Sequence, residues 1–129
     1  MIVVAAAVLR EAPGGAVLLT KRLAGAHLGG RWEFPGGKRE RGEDPERTVV
    51  RECREELALD VEVRGVLDAV HHHYPEKEVL LLFYDCRIAG GTLEHRGVAD
   101  SAWVAPEDLP SYDLPPPDAR LIDALRRGG

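Results

Sequence analysis

Three glutamates lie within five residues, at Glu52, Glu55 and Glu56. Apolar residues in the same segment recur at helical spacing, which predicts one buried helix face, formed by Val49, Val50, Cys53 and Leu57. On such a helix Glu52 neighbours both other glutamates, and each like-charged pair is unfavourable by roughly 0.2–0.5 kcal/mol. Glu55 and Glu56 also lie near the negative end of the helix dipole, where acidic side chains are disfavoured. The helix alone gains nothing from this arrangement.

A hard divalent cation would remove the repulsion among these glutamates. Mg²⁺ binds oxygen ligands, and proteins usually hold it through a few carboxylates together with substrate phosphates. Two adjacent glycines, Gly36 and Gly37, precede the helix. Because they have no Cβ, the backbone can turn tightly there and approach a metal ion or a phosphate closely. The alternative is a solvated acidic face that follows an ordinary glycine turn, which is the commoner role of a charge run.

The spacing of the glycines and charged residues is more specific than the acidic cluster. Gly37 is followed after five residues by Glu43, and after seven more by the run RECREELAL at residues 51–59. This pattern resembles the signature of the Nudix family, which are hydrolases of nucleoside diphosphates linked to another group. One position departs from the signature, because this chain has Ala58 where the family usually has the glycine that ends the helix.

The resemblance implies a ligand set for a divalent metal ion. The ion is Mg²⁺, with Mn²⁺ as the alternative. The implied ligands are the carboxylates of Glu52, Glu55 and Glu56, joined by a backbone carbonyl of Gly36 or Gly37.

The resemblance also implies catalytic roles around this metal. Arg51 orients Glu43 through a charge-assisted hydrogen bond. The reaction is metal-assisted hydrolysis within a phosphate chain. Glu52 is the first candidate to accept the proton of the attacking water, and Glu43 and Glu55 are the competing candidates.

The segments before the signature extend the resemblance to one branch of the family. The runs RLAGAH at 22–27 and WEFPGG at 32–37 are similar to those of MutT proteins, which hydrolyse nucleoside triphosphates, oxidised ones included, to the monophosphate and pyrophosphate. The matching residues of that branch contact the nucleotide, which implies that Arg22, His27 and Phe34 bind the substrate. Without the resemblance, Phe34 would be a core residue and His27 a loop residue.

Asp118 has two competing interpretations. It lies where the MutT branch places an Asn or Asp that reads the base. An ionised Asp only accepts hydrogen bonds, whereas Asn also donates. The residue type therefore bears on base preference, unless burial keeps Asp118 protonated. Alternatively, Asp118 caps the last helix, since it precedes an apolar helical pattern, formed by Leu121, Ile122 and Leu125.

We therefore predict a nucleoside triphosphate pyrophosphohydrolase whose substrate is an oxidised purine nucleotide such as 8-oxo-dGTP, with a role in nucleotide-pool sanitation. Cytidine nucleotides are the first alternative, because residues 112–125 also resemble Nudix enzymes that prefer this base. The alternative from another class is a nucleotide-binding sensor on the same scaffold. A sensor would be expected to have lost part of the signature, and this chain keeps every charged position.

Gly97 is a second departure from the family pattern. Many relatives carry an acidic residue six positions before the tryptophan that matches Trp103. A further ligand or base in this region would have to come from Glu94, His95 or Asp100.

Length and composition limit the classes of protein to which this chain could belong. The 129 residues suit a single domain, 1–129, that buries about two-thirds of its unfolded surface. Two cysteines do not form a disulfide framework, so Cys53 and Cys86 are expected to be buried thiols in a reducing cytoplasm.

A net charge of −5 argues against a nucleic acid polymer as partner. No basic leader precedes the first apolar run, and no segment approaches the roughly 20 apolar residues of a membrane span. The protein is either a monomer or a homodimer.

The elements that position these residues follow from hydrophobic patterning and turn signals. A helix is expected to begin at Pro45 after an Asp44 cap. Strands are predicted at 2–9, 16–21, 61–74, 78–88 and 102–104, and the first two are expected to form a hairpin. Turns are predicted at 75–77 and 90–91. Residues 105–117 contain five prolines and are expected to form an irregular loop, which a terminal helix follows. This order predicts an α/β (α+β) fold with a mixed sheet between helices.

Three consecutive histidines, His71, His72 and His73, lie at the end of a predicted strand. Neighbouring residues of a strand point to opposite faces, so two adjacent rings cannot easily share one metal ion. The triplet is therefore not expected to be a metal site.

Overall fold

Strand β1, residues Ile2–Leu9, lies inside a four-stranded mixed sheet. It pairs in parallel with β6 (Lys77–Gly91) and antiparallel with β4 (Gly36–Lys38). Strand β5 (Leu59–Tyr74) is the other edge and pairs antiparallel with β6. The computed structural model describes residues 1–11 and 14–128.

A second sheet of three antiparallel strands has β2 (Val17–Lys21) at its centre. Strand β3 (Trp32–Glu33) flanks it on one side and β7 (Asp100–Val104) on the other. The predicted β1–β2 hairpin is therefore wrong, since a single bridge from Arg10 to Val17 joins these strands. The physical reason is that β4 and β6 already occupy both edges of β1. The predicted turn falls partly on residues 12–13, outside the described residues.

Successive side chains of a strand point to opposite faces of the sheet, so the mixed sheet has two apolar faces. A helix covers each of them. Helix α1, residues Pro45–Leu57, and helix α2, residues Ala119–Arg126, bury their apolar faces in two separate clusters. On β1, alternate residues supply the two clusters: Ala5, Ala7 and Leu9 pack with α1, whereas Ala6 and Val8 pack with α2. The predicted fold class is confirmed, and α1 is held rigidly against the sheet.

The N-terminus of α1 differs in detail from the prediction. Pro45 is the first helical residue and Asp44 is the cap position, but the Asp44 side chain forms no capping hydrogen bond. Instead, the buried hydroxyl of Thr48 donates to Oε1 of Glu43 at 2.7 Å.

The C-terminus of α1 keeps the left-handed geometry that a glycine would favour. Ala58 has φ 58° and ψ 28°, and its N–H donates to the carbonyl of Arg54 at 3.1 Å. A residue with a Cβ adopts this conformation at a cost of roughly 1–2 kcal/mol. Beyond it, the N–H groups of Arg96 and Gly97 donate to the carbonyl of Glu56 at 2.9 and 3.1 Å. These bonds fix the end of the helix that carries the glutamates.

Two of the predicted connections are wrong. Gly90 and Gly91 do not form a turn, because β6 continues through them. They pair with Asp60 and Leu59 of β5, respectively, which closely follow α1. The proline-rich segment is not irregular, since it forms 3₁₀ helices at Pro106–Tyr112 and Pro116–Asp118. Proline suits the first turn of a helix, and short 3₁₀ turns need few backbone hydrogen bonds.

Candidate active site

Arg51 is the centre of a hydrogen-bonded carboxylate network on α1. Its guanidinium holds Glu43 with two bonds, from Nε to Oε2 at 2.8 Å and from Nη2 to Oε1 at 3.1 Å. Nη1 donates to Oε1 of Glu52 at 2.7 Å and to Oε2 of Glu55 at 3.3 Å. Two-bond pairing of arginine with a carboxylate fixes both direction and distance. The Arg51–Glu43 pair that the resemblance implied is therefore present in this geometry.

The loop before α1 completes the environment of Glu43. Besides Arg51, its Oε1 accepts a hydrogen bond from the Thr48 hydroxyl and another from the backbone N–H of Glu40 at 3.1 Å. The bond from Arg51 and then the bond from Thr48 lower the pKa of Glu43 to about 2. The same pairing raises the pKa of Arg51 above its ordinary value. Glu43 is consequently a fixed anion.

Glu52 and Glu56 form a close carboxyl pair on the inner side of the helix. The pKa of Glu56 is raised to about 8, first by burial, then by the neighbouring carboxyl of Glu52 and by the charges of Glu52 and Glu33. The nearby charge of Arg22 acts in the opposite direction. Without a cation, a proton between the two carboxyl groups relieves the repulsion. A divalent ion would replace that proton, so the donor set fits a metal.

Gly37 brings the backbone of β4 against Glu52. A Cβ at this position would lie 2.6 Å from Cδ and 2.8 Å from Oε2 of Glu52, so glycine alone permits this approach. A Cβ at the neighbouring Gly36 would lie 2.1 Å from the carbonyl oxygen of Ala5. Gly36 therefore allows β4 to pair with β1, and Gly37 allows the strand to contact a carboxylate of the cluster.

A second set of polar groups adjoins the carboxylates through β3. Arg22 donates from Nη1 to Oε2 of Glu33 at 3.0 Å. Burial raises the pKa of Glu33, while the charge of Arg22 and its hydrogen bond lower it. The charge of Glu33 acts on both Glu56 and Asp118 and contributes to raising the pKa of each.

Sequence reasoning missed Glu33 as a member of the site. Alternation along 32–34 places Glu33 on the face opposite Trp32 and Phe34. The available signal was an acidic residue shortly before Gly36 and Gly37, which form part of strand β4 and not the predicted turn.

Asp118 is buried, with 3% of its surface exposed. Burial, followed by the charge of Glu33, raises its pKa to about 7. It occupies the cap position of α2 but forms no capping hydrogen bond through its side chain. The capping interpretation therefore lacks the bond on which it depends.

Comparisons with known proteins agree with this geometry. The family model of the NUDIX domain matches residues 5–124. The chain belongs to the Nudix family. A stretch of 68 residues is 43% identical to an 8-oxo-dGTP diphosphatase of Proteus vulgaris, covering 53% of this chain and 61% of that protein. A CTP pyrophosphohydrolase of Escherichia coli is 32% identical, over 97% of this chain and 91% of that protein.

A solved structure supports the same branch of the Nudix family. The MutT Nudix hydrolase of Burkholderia pseudomallei has a TM-score of 0.80 with this chain and 27% sequence identity. The similarity covers 95% of each chain. The MutT-like assignment from the signature and the segments before it is confirmed.

The remaining substrate-binding candidates of this Nudix chain differ in exposure. His27 is exposed in the loop at 22–31. Phe34 is only 3% exposed and packs edge-on against Phe83, with ring centroids 5.8 Å apart. Phe34 is thus a core residue, the role expected of it without the resemblance.

Gly97 lies directly against the Nudix helix. A Cβ there would be 3.0 Å from Cγ of Glu56, so a larger residue would press on this glutamate. The three alternative residues are engaged with neighbours. Glu94 accepts from Arg96, His95 bonds to the hydroxyl of Ser101, and Asp100 accepts from the Ser101 backbone, at 3.2, 2.8 and 2.8 Å respectively.

Across the described residues, no helix is both long and apolar enough to cross a membrane.

Proposed function

We propose that this Nudix protein hydrolyses nucleoside triphosphates to the nucleoside monophosphate and pyrophosphate, with an oxidised purine nucleotide such as 8-oxo-dGTP as its substrate. The observation that carries this proposal is the carboxylate cluster of α1, in which Arg51 holds Glu43 and Glu52 by hydrogen bonds and Glu56 lies close enough to Glu52 for its pKa to be raised. A relative with the matching name, the 8-oxo-dGTP diphosphatase of Proteus vulgaris, supports the choice of substrate.

Nudix hydrolases use a divalent metal ion, and Mg²⁺ is the ion we propose here. Glu52, Glu55 and Glu56 would hold it, together with a backbone carbonyl of Gly36 or Gly37. When bound, such an ion neutralises phosphate charge and activates water for attack. Carboxylate oxygens are the ligands that suit Mg²⁺, and the glutamates are brought together by one turn of helix.

Among the three candidate bases we propose Glu52. Glu43 has its pKa held at about 2 by Arg51 and Thr48, so it is a weak proton acceptor. The side chain of Glu55 is 60% exposed, whereas that of Glu52 is 14% exposed. Arg51 holds one oxygen of Glu52 and leaves the second next to Gly37. Glu52 is therefore held in a fixed orientation and is better shielded from solvent than Glu55.

Asp118 is the residue we propose for reading the base. Its pKa of about 7 keeps a large fraction of the carboxyl protonated near neutral pH. A protonated acid donates one hydrogen bond and still accepts others, so it can match a base edge as an amide does. Glu33, which Arg22 holds by a hydrogen bond, acts electrostatically both on Asp118 and on Glu56, one of the carboxylates that would hold the metal ion.

The variant Asp118→Asn tests whether this carboxyl is buried at an energetic cost. Below about pH 4 the acid is protonated in both the folded and the unfolded chain, so the cost is absent. As pH rises from about 4 through about 7, the unfolded carboxyl ionises first, and the wild type loses stability relative to the Asp118→Asn protein. Above about pH 7 the accumulated loss stays constant at about 4 kcal/mol, since the pKa is raised by about three units and one unit equals about 1.4 kcal/mol.

Urea unfolding of the wild type and the Asp118→Asn protein at pH 4 and pH 8 measures this difference. Asp123→Asn is the matched control, because Asp123 is an exposed acid on the same helix. A constant stability difference at both pH values would show that Asp118 ionises in the folded protein as it does in water.

Cytidine nucleotides remain the second candidate substrates, because a relative from Escherichia coli is named a CTP pyrophosphohydrolase and aligns over 97% of this chain. The test is to compare kcat/KM for 8-oxo-dGTP, dGTP, CTP and dCTP with Mg²⁺ present. A preference for 8-oxo-dGTP supports the proposal, and a preference for CTP or dCTP replaces it. Binding of these nucleotides without turnover would favour the sensor alternative.

A cytoplasmic location is also proposed, because Cys53 and Cys86 are buried free thiols, as expected for a protein of a reducing compartment.

A further inference from the structure

Two of the three consecutive histidines point to one face of the β5–β6 hairpin. His71 and His73 are two residues apart on β5, and their rings lie 4.5 Å apart between centroids. His72 takes the opposite face, where it contacts Tyr74. The strand alternation that separates adjacent rings thus brings His71 and His73 together.

A carboxylate on the neighbouring strand completes this group. Glu78 of β6 pairs directly with His73 in the ladder. Its Oε2 lies 3.0 Å from Nε2 of His71 and 3.8 Å from Nε2 of His73. One ligand atom from each of the three residues lies within 4.8 Å of the others. All three side chains are at least 40% exposed, so an ion can reach them from solvent.

We propose that His71, His73 and Glu78 bind a transition-metal ion such as Zn²⁺, at a site separate from the carboxylates of α1. Two imidazoles and one carboxylate are a common Zn²⁺ ligand set that leaves a fourth position open to water or another ligand. Bonds of about 2.0–2.1 Å in a tetrahedron place neighbouring ligand atoms about 3.4 Å apart. The observed spacings, 3.0 and 3.8 Å from Glu78 to the two rings and at most 4.8 Å within the group, bracket this value.

The chemistry of the ligands separates this site from the Mg²⁺ site. Imidazole suits Zn²⁺, Cu²⁺ and Ni²⁺, whereas Mg²⁺ prefers oxygen ligands. The position also differs, because strands β1 and β6 lie between β4, where Gly37 contacts Glu52, and β5, which carries the histidines. Three strand spacings correspond to about 14 Å. The two sites can therefore be occupied independently.

The alternative is a simple ion pair between Glu78 and the histidines. The hydrogen bond from His71, followed by the charges of His71 and His73, lowers the pKa of Glu78. A Glu78 carboxylate that stays ionised is equally suited to a metal ion. The two alternatives differ in whether Zn²⁺ binds to these three residues.

Calorimetric titration with Zn²⁺ in the presence of excess Mg²⁺ tests the proposal. We expect one Zn²⁺ to bind to the wild type. The double variant His71→Gln/His73→Gln should bind Zn²⁺ at least about tenfold more weakly, because removing even a residue that only supports a metal ligand costs about that much affinity. Glu78→Gln should also weaken binding. His72→Gln is the matched control on the opposite face and should bind as the wild type does.

Two results would overturn this proposal. The first is unchanged Zn²⁺ affinity in the double variant, with circular dichroism showing that it is folded. The second is loss of Zn²⁺ binding in Glu56→Gln, which would place the ion on α1. As an independent readout, Ni²⁺ should broaden the amide resonances of residues 71–80 in the wild type only, and broadening around α1 instead would contradict the assignment.

Discussion

Replacing Glu56 with glutamine should lower kcat by about 10²–10³-fold, the range seen when one preorganised electrostatic group is lost from an active site. The amide keeps the shape of the side chain but cannot supply the negative charge that a divalent cation needs. Burial and the neighbouring Glu52 raise the pKa of Glu56 to about 8. In the metal-free protein the amide removes the free-energy cost of that raised pKa, because it has no charge to bury at any pH. The variant should therefore be as stable as the wild type, or slightly more stable, while it loses turnover.

Steady-state kinetics with Mg²⁺ and thermal unfolding with EDTA measure the two halves of this prediction. Glu55→Gln should also lose most turnover if Glu55 is a ligand. Glu46→Gln is the matched control, since Glu46 is an exposed acid in the first turn of the same helix. Wild-type activity in Glu56→Gln would remove this residue from the ligand set.

Replacing Arg51 with methionine should reduce both turnover and stability. The guanidinium bonds Glu43, Glu52 and Glu55, so its loss leaves several carboxylates without their donor. The side chain of Arg51 is 24% exposed, and solvent will compensate in part. We expect a loss of about 1–3 kcal/mol in the free energy of unfolding, the range for leaving a hydrogen-bonded group unpaired.

Arg51 acts through Glu43 and Glu52, so it is a positioning residue and kcat should fall more than KM rises. Arg51→Lys separates charge from geometry, because lysine keeps the charge but loses the two-bond fork. It should retain more stability than Arg51→Met while still losing kcat. Arg54→Met is the control, as Arg54 is an exposed arginine of the same helix that pairs with Asp60. An Arg51→Lys enzyme with wild-type kcat would contradict the orienting role.

Residues that lie close together in sequence could be predicted well. Glu52, Glu55, Glu56 and Arg51 share one helix, and the helical period alone determines which of them are neighbours. The strand predicted at 2–9 is likewise present, as β1. These predictions depend on local geometry only.

Features that depend on which strands pair could not be predicted. The β1–β2 hairpin was wrong because the partners of β1 come from β4 and from β6, which are distant in sequence. The raised pKa of Asp118 depends on burial by the fold and on Glu33, which lies far from it along the chain. Neither contact leaves a signal in the neighbouring residues.

The histidine triplet shows the same division between local and distant information. Alternation within 71–73 correctly separates adjacent rings, and the same rule places His71 and His73 together. The register of β5 on β6 then adds Glu78. That register was available only from the fold, although the turn predicted at 75–77 was consistent with it.

The most direct test of the central claim is to identify the products of 8-oxo-dGTP hydrolysis, with and without Mg²⁺, for the wild type and Glu56→Gln. If the glutamates of α1 hold a divalent ion for attack within the phosphate chain, the wild type with Mg²⁺ yields the monophosphate and pyrophosphate in equal amounts. Reactions without metal, and those with Glu56→Gln, should yield little of either. Release of inorganic phosphate, or equal product formation by the wild type and Glu56→Gln, would contradict the account.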